Sequence, residues 1–129
     1  MILSRAMQIH LAALGAGRAD FEDTLALVER FFNYTPTAFR NSLLHNGAGE
    51  NEGSCKLFAL AQHCNLNETD TLACFGRHYR HVLENPTGGD HANIRQFMGT
   101  GWSGIAFDAM PLRARPADET QTPEDKTAS

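Results

Sequence analysis

The chain lacks several features that mark common protein classes. No apolar run approaches the ~18 residues a spanning helix needs; the longest, residues 9–16, is interrupted by His10 and contains Gly15. A membrane span is therefore not expected. Lys+Arg 11 against Asp+Glu 15 gives a net charge of −4 with no basic cluster, so the positive stripe that nucleic-acid binding requires is missing. The three cysteines, Cys55, Cys64 and Cys74, cannot all pair with one another and form no C-x-x-C motif, which points to a reducing, cytoplasmic setting rather than a disulfide scaffold. Residues 1–19 follow the outline of a signal peptide, but Gln8 and His10 fall where its apolar centre belongs. No internal repeat is visible.

What remains is an ordinary globular composition: 129 residues, 42% hydrophobic and 20% charged. A chain of this length forms one domain and buries roughly two thirds of its unfolded surface, enough for a core without staples. The sequence predicts a mainly helical α+β domain over 1–112, with about five helices, a small β-hairpin and a third short strand. Residues 113–129, rich in Pro, Ala, Asp, Glu, Thr and Lys, carry no large apolar side chain, so this segment is expected to stay a disordered polar tail.

Good helix formers at 8–15, closed by Gly15 and Gly17, predict a first helix. Asp20 has N-cap chemistry with Asp23 at the N3 position, and Phe21, Leu25, Val28 and Phe32 form one apolar face. Short runs flanking Asn41-Ser42 predict the hairpin, although a type I′ turn wants positive φ at both central positions and Ser42 is not glycine. Ser54 or Asn51 is expected to cap a helix holding Cys55, Leu57, Phe58, Leu60, Ala61 and Cys64. Asn67, with Asp70 at N3, opens a helix expected to run unbroken to about Leu83 or Glu84, before Pro86. Asp90 is a further N-cap, for a helix whose Ile94, Phe97 and Met98 face inward, and residues 102–107 supply the third strand.

Several residues could carry chemistry. Cys55, just inside a helix start and beside Lys56, is the best nucleophile candidate, with His45 or His91 as base and Asp90 to orient His91; the alternative is a small buried packing residue. Cys74, His78 and His81 fall at i, i+4 and i+7 on one helix and could share a soft metal, or simply form a solvated face; no metal or other cofactor is expected, since the set lacks a fourth ligand. Residues 51–54 offer Glu52, Ser54 and backbone amides at a helix N-terminus, suited to an anion or to capping alone. Arg80 and Arg95 each lie on a helix near aromatic residues, where a guanidinium can pair with Glu52, Asp90 or Asp108 as structure or meet an anionic ligand; ion pairing is the favoured reading. Trp102, between Gly101 and Gly104, is either a core plug or an anchor for a partner.

These residues resemble the HopJ family of small bacterial proteins, named as type III secretion effectors. The resemblance spans about Phe21 to Phe107. It rests on Phe21-Glu22-Asp23-Thr24, Pro36-Thr37-Ala38-Phe39, the run from Asn46 through Lys56, Phe75-Gly76, Tyr79-Arg80, Asp90-His91-Ala92-Asn93-Ile94-Arg95 and Gly101-Trp102. The chain departs from the family at Ser42, which replaces a turn glycine, and at Leu43 and Gly47, where acidic residues are usual. The resemblance implies an effector route out of the cell but supplies no enzymatic activity, cofactor or substrate. Positions matching its pattern are Glu52, Ser54, Cys55, Lys56, Tyr79, Arg80, Asp90, His91, Asn93, Arg95 and Trp102, whereas Cys74 and His81 fall outside it. Two functions are open. One is a binding domain in which Glu52, Ser54, Lys56, Arg80, Arg95 and Trp102 hold a small anionic ligand or a protein partner. The other is an enzyme with Cys55 as nucleophile, His91 as base and Asp90 orienting it.

Overall fold

Asp20 organises the first half of the chain. Its side chain accepts the backbone N–H of Phe21 at 2.7 Å, while Asp23 returns a bond to the N–H of Asp20, the capping box expected for α2 (Phe21–Phe31). The same Asp20 Oδ1 also accepts the N–H of Arg77 at 2.9 Å, at the start of α5 (Arg77–Glu84). One carboxylate thus serves two helix N-termini. That close approach requires Gly76: its φ is +60°, and a Cβ there would lie 2.1 Å from Asp20 Oδ1. The expected single helix over 67–84 is accordingly two, α4 (Glu68–Ala73), capped by Asn67 onto the N–H of Asp70, and α5. Among the described residues there are therefore six α-helices, where about five were expected.

The computed structural model describes residues 2–116. Helix α1 (Leu3–Gly15) begins earlier than its apolar pattern suggested. It buries His10, whose Nε2 lies 2.7 Å from Thr24 Oγ1; that hydroxyl donates to the Cys74 carbonyl at 2.8 Å. The chain then forms β1 (Phe32–Tyr34), β2 (Phe39–Asn41), β3 (Leu44–Asn46), α3 (Glu52–His63), α4 and α5, α6 (Ala92–Thr100), a short 3-10 turn (Gly101–Gly104), β4 (Ile105–Phe107) and β5 (Leu112–Ala114). The fold is α+β and mainly α.

The hairpin and the third strand form an antiparallel sheet in the order β3-β2-β4. Its register differs by one residue from the expected turn: Asn41 pairs with Leu44, so the connection is Ser42-Leu43, with Ser42 at φ 56° and Leu43 96% exposed. The shift turns the Asn41 side chain into the interior. A second sheet, β1 with β5, pairs Phe32 with Ala114 and Tyr34 with Leu112. It places Arg113 and Ala114 in a strand, beyond the expected boundary at 112; the rest of the expected tail, from residue 117, lies outside the described residues.

Helix α3 lies against α2, α4 and β5, and α6 against α4, α5 and β2. Phe58 of α3 sits at the centre, its ring 5.0–6.2 Å from those of Phe39, Phe75, Phe97 and Trp102. Trp102 donates its indole N–H to the Leu66 carbonyl at 3.0 Å, a core plug with its polar atom satisfied. Met98, expected inward, is 44% exposed. Among the described residues no helix is long and apolar enough to cross a membrane.

Two measurements check this arrangement. Gly76→Ala adds an L side chain at positive φ and a clash with Asp20, and should cost about 2–4 kcal/mol in denaturant unfolding. Hydrogen bonds from the N–H groups of Arg77 and Phe21 lower the Asp20 carboxyl from 3.8 to about 2. Its contribution is therefore complete above pH 3.8 and lost as the pH falls through 2. The unfolding midpoint of Asp20→Ala should be lower at neutral pH and should change less than that of the native chain across this acid window.

Candidate functional site

Helices α3 and α6 bring their first turns to one open cleft of about 350 Å³, lined by Asn51, Gly53 and Ser54 from the first and His91, Ala92, Asn93 and Ile94 from the second, with Phe21, Phe75 and His78 completing the wall. Both helices begin in the same unusual way. Their N-cap residues, Asn51 at φ 50° and His91 at φ 52°, are left-handed, and neither helix receives a side-chain cap. The expected caps are otherwise engaged: Asn51 Nδ2 donates to Asn46 Oδ1 at 2.7 Å, and Asp90 binds Arg95 at 2.7 Å. The first-turn N–H groups of both helices thus lack a side-chain cap where Gly53, Ser54, Ala92 and Asn93 line the cleft, and both helix dipoles place partial positive charge at these ends.

Buried asparagines hold these two turns together. Asn93 donates to Asn46 Oδ1 at 3.0 Å and accepts from Asn41 Nδ2 at 3.1 Å; Asn41 also donates to the Asn93 carbonyl at 2.9 Å. The sequence suggested Asn41 as a turn residue and Asn51 as a cap, and gave no sign that either would join Asn46 and Asn93 in a buried network. The available signal was asparagine inside short strands, where it is disfavoured unless its amide has a task.

At one edge of the cleft stands a cluster of imidazoles. The His91 ring lies 5.2 Å from that of His78 and 5.4 Å from that of His81. Asp90 Oδ2 is 3.0 Å from His81 Nε2 and 3.9 Å from His91 Nε2. Arg95 grips the other Asp90 oxygen and also donates to the carbonyls of Asp90 and Asn85, and this guanidinium holds the Asp90 carboxyl below its ordinary range. Burial, reinforced by the Arg77 cation, lowers the pKa of His78.

The expected catalytic set is only partly assembled. Asp90 and His91 are neighbours, but Cys55 is 1% exposed and its thiol donates to the Thr37 carbonyl at 3.6 Å. Burial pushes its pKa up, the opposite of an activated thiolate, and no imidazole is among its hydrogen-bond partners in the described residues. Access and base, the two geometric requirements of the nucleophile, are both missing. His45 is exposed on β3.

The expected ligand-binding residues separate as well. Ser54 lines the cleft. Glu52 accepts the Tyr34 hydroxyl at 2.9 Å and Lys56 lies 4.7 Å from the Tyr34 ring centroid, so both are committed to β1. Arg80 is exposed, 4.0 Å from Asp20; Arg95 is engaged with Asp90, and Trp102 with the core. Of the stripe Cys74, His78 and His81, Cys74 turns into the core, its thiol raised to about 12 by burial, while His81 faces Asp90 and His91.

Fold and cleft define a small α+β domain with an uncapped, two-helix cleft. The family model described as HopJ type III effector protein matches residues 8–112, and the chain belongs to that family. It is also similar to the crystal structure of the protein of unknown function VPA0580, with 47% identity, a TM-score of 0.78, and 84% of this chain and 92% of that one covered. No match was found among curated proteins.

The thiol environments predict an order of reaction. With iodoacetamide on the folded protein, half-buried Cys64 should alkylate first, and Cys55 and Cys74 only after denaturant is added, as read by peptide mass spectrometry. Rapid labelling of Cys55 near pH 6 would restore the nucleophile.

Proposed function

We propose that this chain is a binding domain that holds the oxyanion of a small organic ligand, a phosphate or carboxylate, between the first turns of α3 and α6. The observation that carries this reading is the convergence of two uncapped helix N-termini on one cleft. Each end supplies about half a positive charge and donors aimed along the helix axis. Phe21 and Phe75, stacked with ring centroids 6.0 Å apart and 7° between planes, give the cleft an apolar wall for the remainder of the ligand. The Ser54 hydroxyl and the His78 imidazole add hydrogen-bonding groups to the rim. Such a site binds without transforming, and a domain that acts by binding is compatible with the family's effector description.

Sulfate, whose charge is constant over the relevant pH, is the probe. Amide shifts in a titration should concentrate at Gly53, Ser54, Ala92 and Asn93. Ser54→Asp, which places a carboxylate in the cleft, should weaken binding about ten-fold. Affinity should rise as the pH falls below the ordinary histidine value of 6.5, because the lowered His78 gains its proton only on that acid side; His78→Gln should flatten the profile. Shifts scattered over the surface, or binding unaffected by Ser54→Asp, would remove this reading.

A further inference from the structure

We propose that His81, Asp90 and His91 form a binding site for a first-row divalent transition metal, of the class of zinc or cobalt(II). The set offers two imidazoles and one carboxylate oxygen, with one ligand atom from each all within 4.8 Å of one another. With metal–ligand bonds of about 2.1 Å, the donor atoms of a tetrahedral site lie about 3.4 Å apart. The observed separations, 3.0 Å from His81 and 3.9 Å from His91 to the same Asp90 oxygen, straddle that value, so small side-chain rotations would close the site. Two nitrogens and one oxygen suit borderline ions, and three protein ligands leave a fourth position for an exogenous group.

The surroundings of the cluster favour this use. Asp90 presents one oxygen to the imidazoles because Arg95 holds the other at 2.7 Å, the outer-shell hydrogen bond that orients ligating carboxylates. Arg95 also donates to the backbone carbonyls of Asp90 and Asn85, pinning the connection from α5. His91 keeps a left-handed backbone, φ 52° and ψ 49°, a conformation that is strained for a non-glycine residue and clusters at functional positions. It sets the His91 ring beside His78 and His81 on α5. His78 lines the cleft, its ring 5.2 Å from that of His91. The inference stands apart from the oxyanion reading, since it needs no anion and rests on His81 and Asp90, which do not line the cleft.

Cobalt(II), titrated into chelator-treated protein in a buffer without phosphate or sulfate, is the probe. The expected result is one saturable equivalent, read by visible d–d absorption and displaced by zinc. His81→Gln and Asp90→Asn, both on exposed side chains and checked for native far-UV circular dichroism, should each weaken binding by about 100-fold or more. Arg95→Gln should weaken it about 10–100-fold as an orienting residue. His45→Gln, a surface histidine elsewhere, should leave it unchanged. Unsaturable binding, or saturable binding unaffected by His81→Gln and Asp90→Asn, would overturn the site. Sulfate binding in the Ser54→Asp variant is read separately, so either proposal can fail alone.

Discussion

The asparagine network beneath the cleft is the interaction on which the arrangement of the site depends. Asn41, Asn46 and Asn93 are buried, and amides in that environment cost free energy unless their donors and acceptors are matched. They meet the requirement mutually, across β2, β3 and α6, and Asn51 extends the bonding to the start of α3. The cost is visible at one atom: Asn41 Oδ1 is the buried side-chain oxygen left without a partner among the described residues. The bond from Asn51 Nδ2 to Asn46, together with a left-handed backbone at φ 50°, leaves the Asn51 side chain making no cap on α3. The network that positions the two helix ends is also what leaves the α3 end open.

The second constraint is the double cap at Asp20. By accepting the N–H of Arg77, Asp20 fixes where α5 begins, and the carboxylate fits only because Gly76 carries no side chain. Moving that start would move His78 and His81 away from the loop that carries Asp90 and His91. Arg77 reinforces the junction by gripping Glu22 through two hydrogen bonds of 2.7 Å. Those exposed contacts add less than the buried geometry of the glycine.

Local chemistry made much of the fold legible. The capping box at Asp20, the cap at Asn67, the apolar faces of α3 and α6 and the strand after Trp102 all follow from spacing and side-chain type. The misread features depend on distant partners. Gly76 reads as a tolerable helix interior until Asp20, 56 positions earlier in the sequence, arrives against it. The pairing of β1 with β5 joins segments whose own patterns are too short to signal a strand. The hairpin register was displaced because Asn41 looks like a turn residue, and only the buried amides of α6 and β3 explain its place in a strand.

The candidate site shows the same division. Helical arithmetic grouped Cys74, His78 and His81, but steps of 100° hold only through an unbroken helix; the break at Gly76 sends Cys74 into the core and leaves the two histidines for Asp90 and His91. Cys55 has the sequence setting of an activated thiol, yet fold-level packing seals it against the Thr37 carbonyl. Asp90 was read as a cap by its residue type, whereas the bond to Arg95 draws it aside and gives the N-cap position to His91. That exchange has a functional consequence. His91 borders both the uncapped helix ends and the imidazole–carboxylate cluster, so a charge arriving at either place changes the field at the other. A cation held at the cluster and an oxyanion in the cleft would attract, and by linkage each would strengthen the other by the same factor.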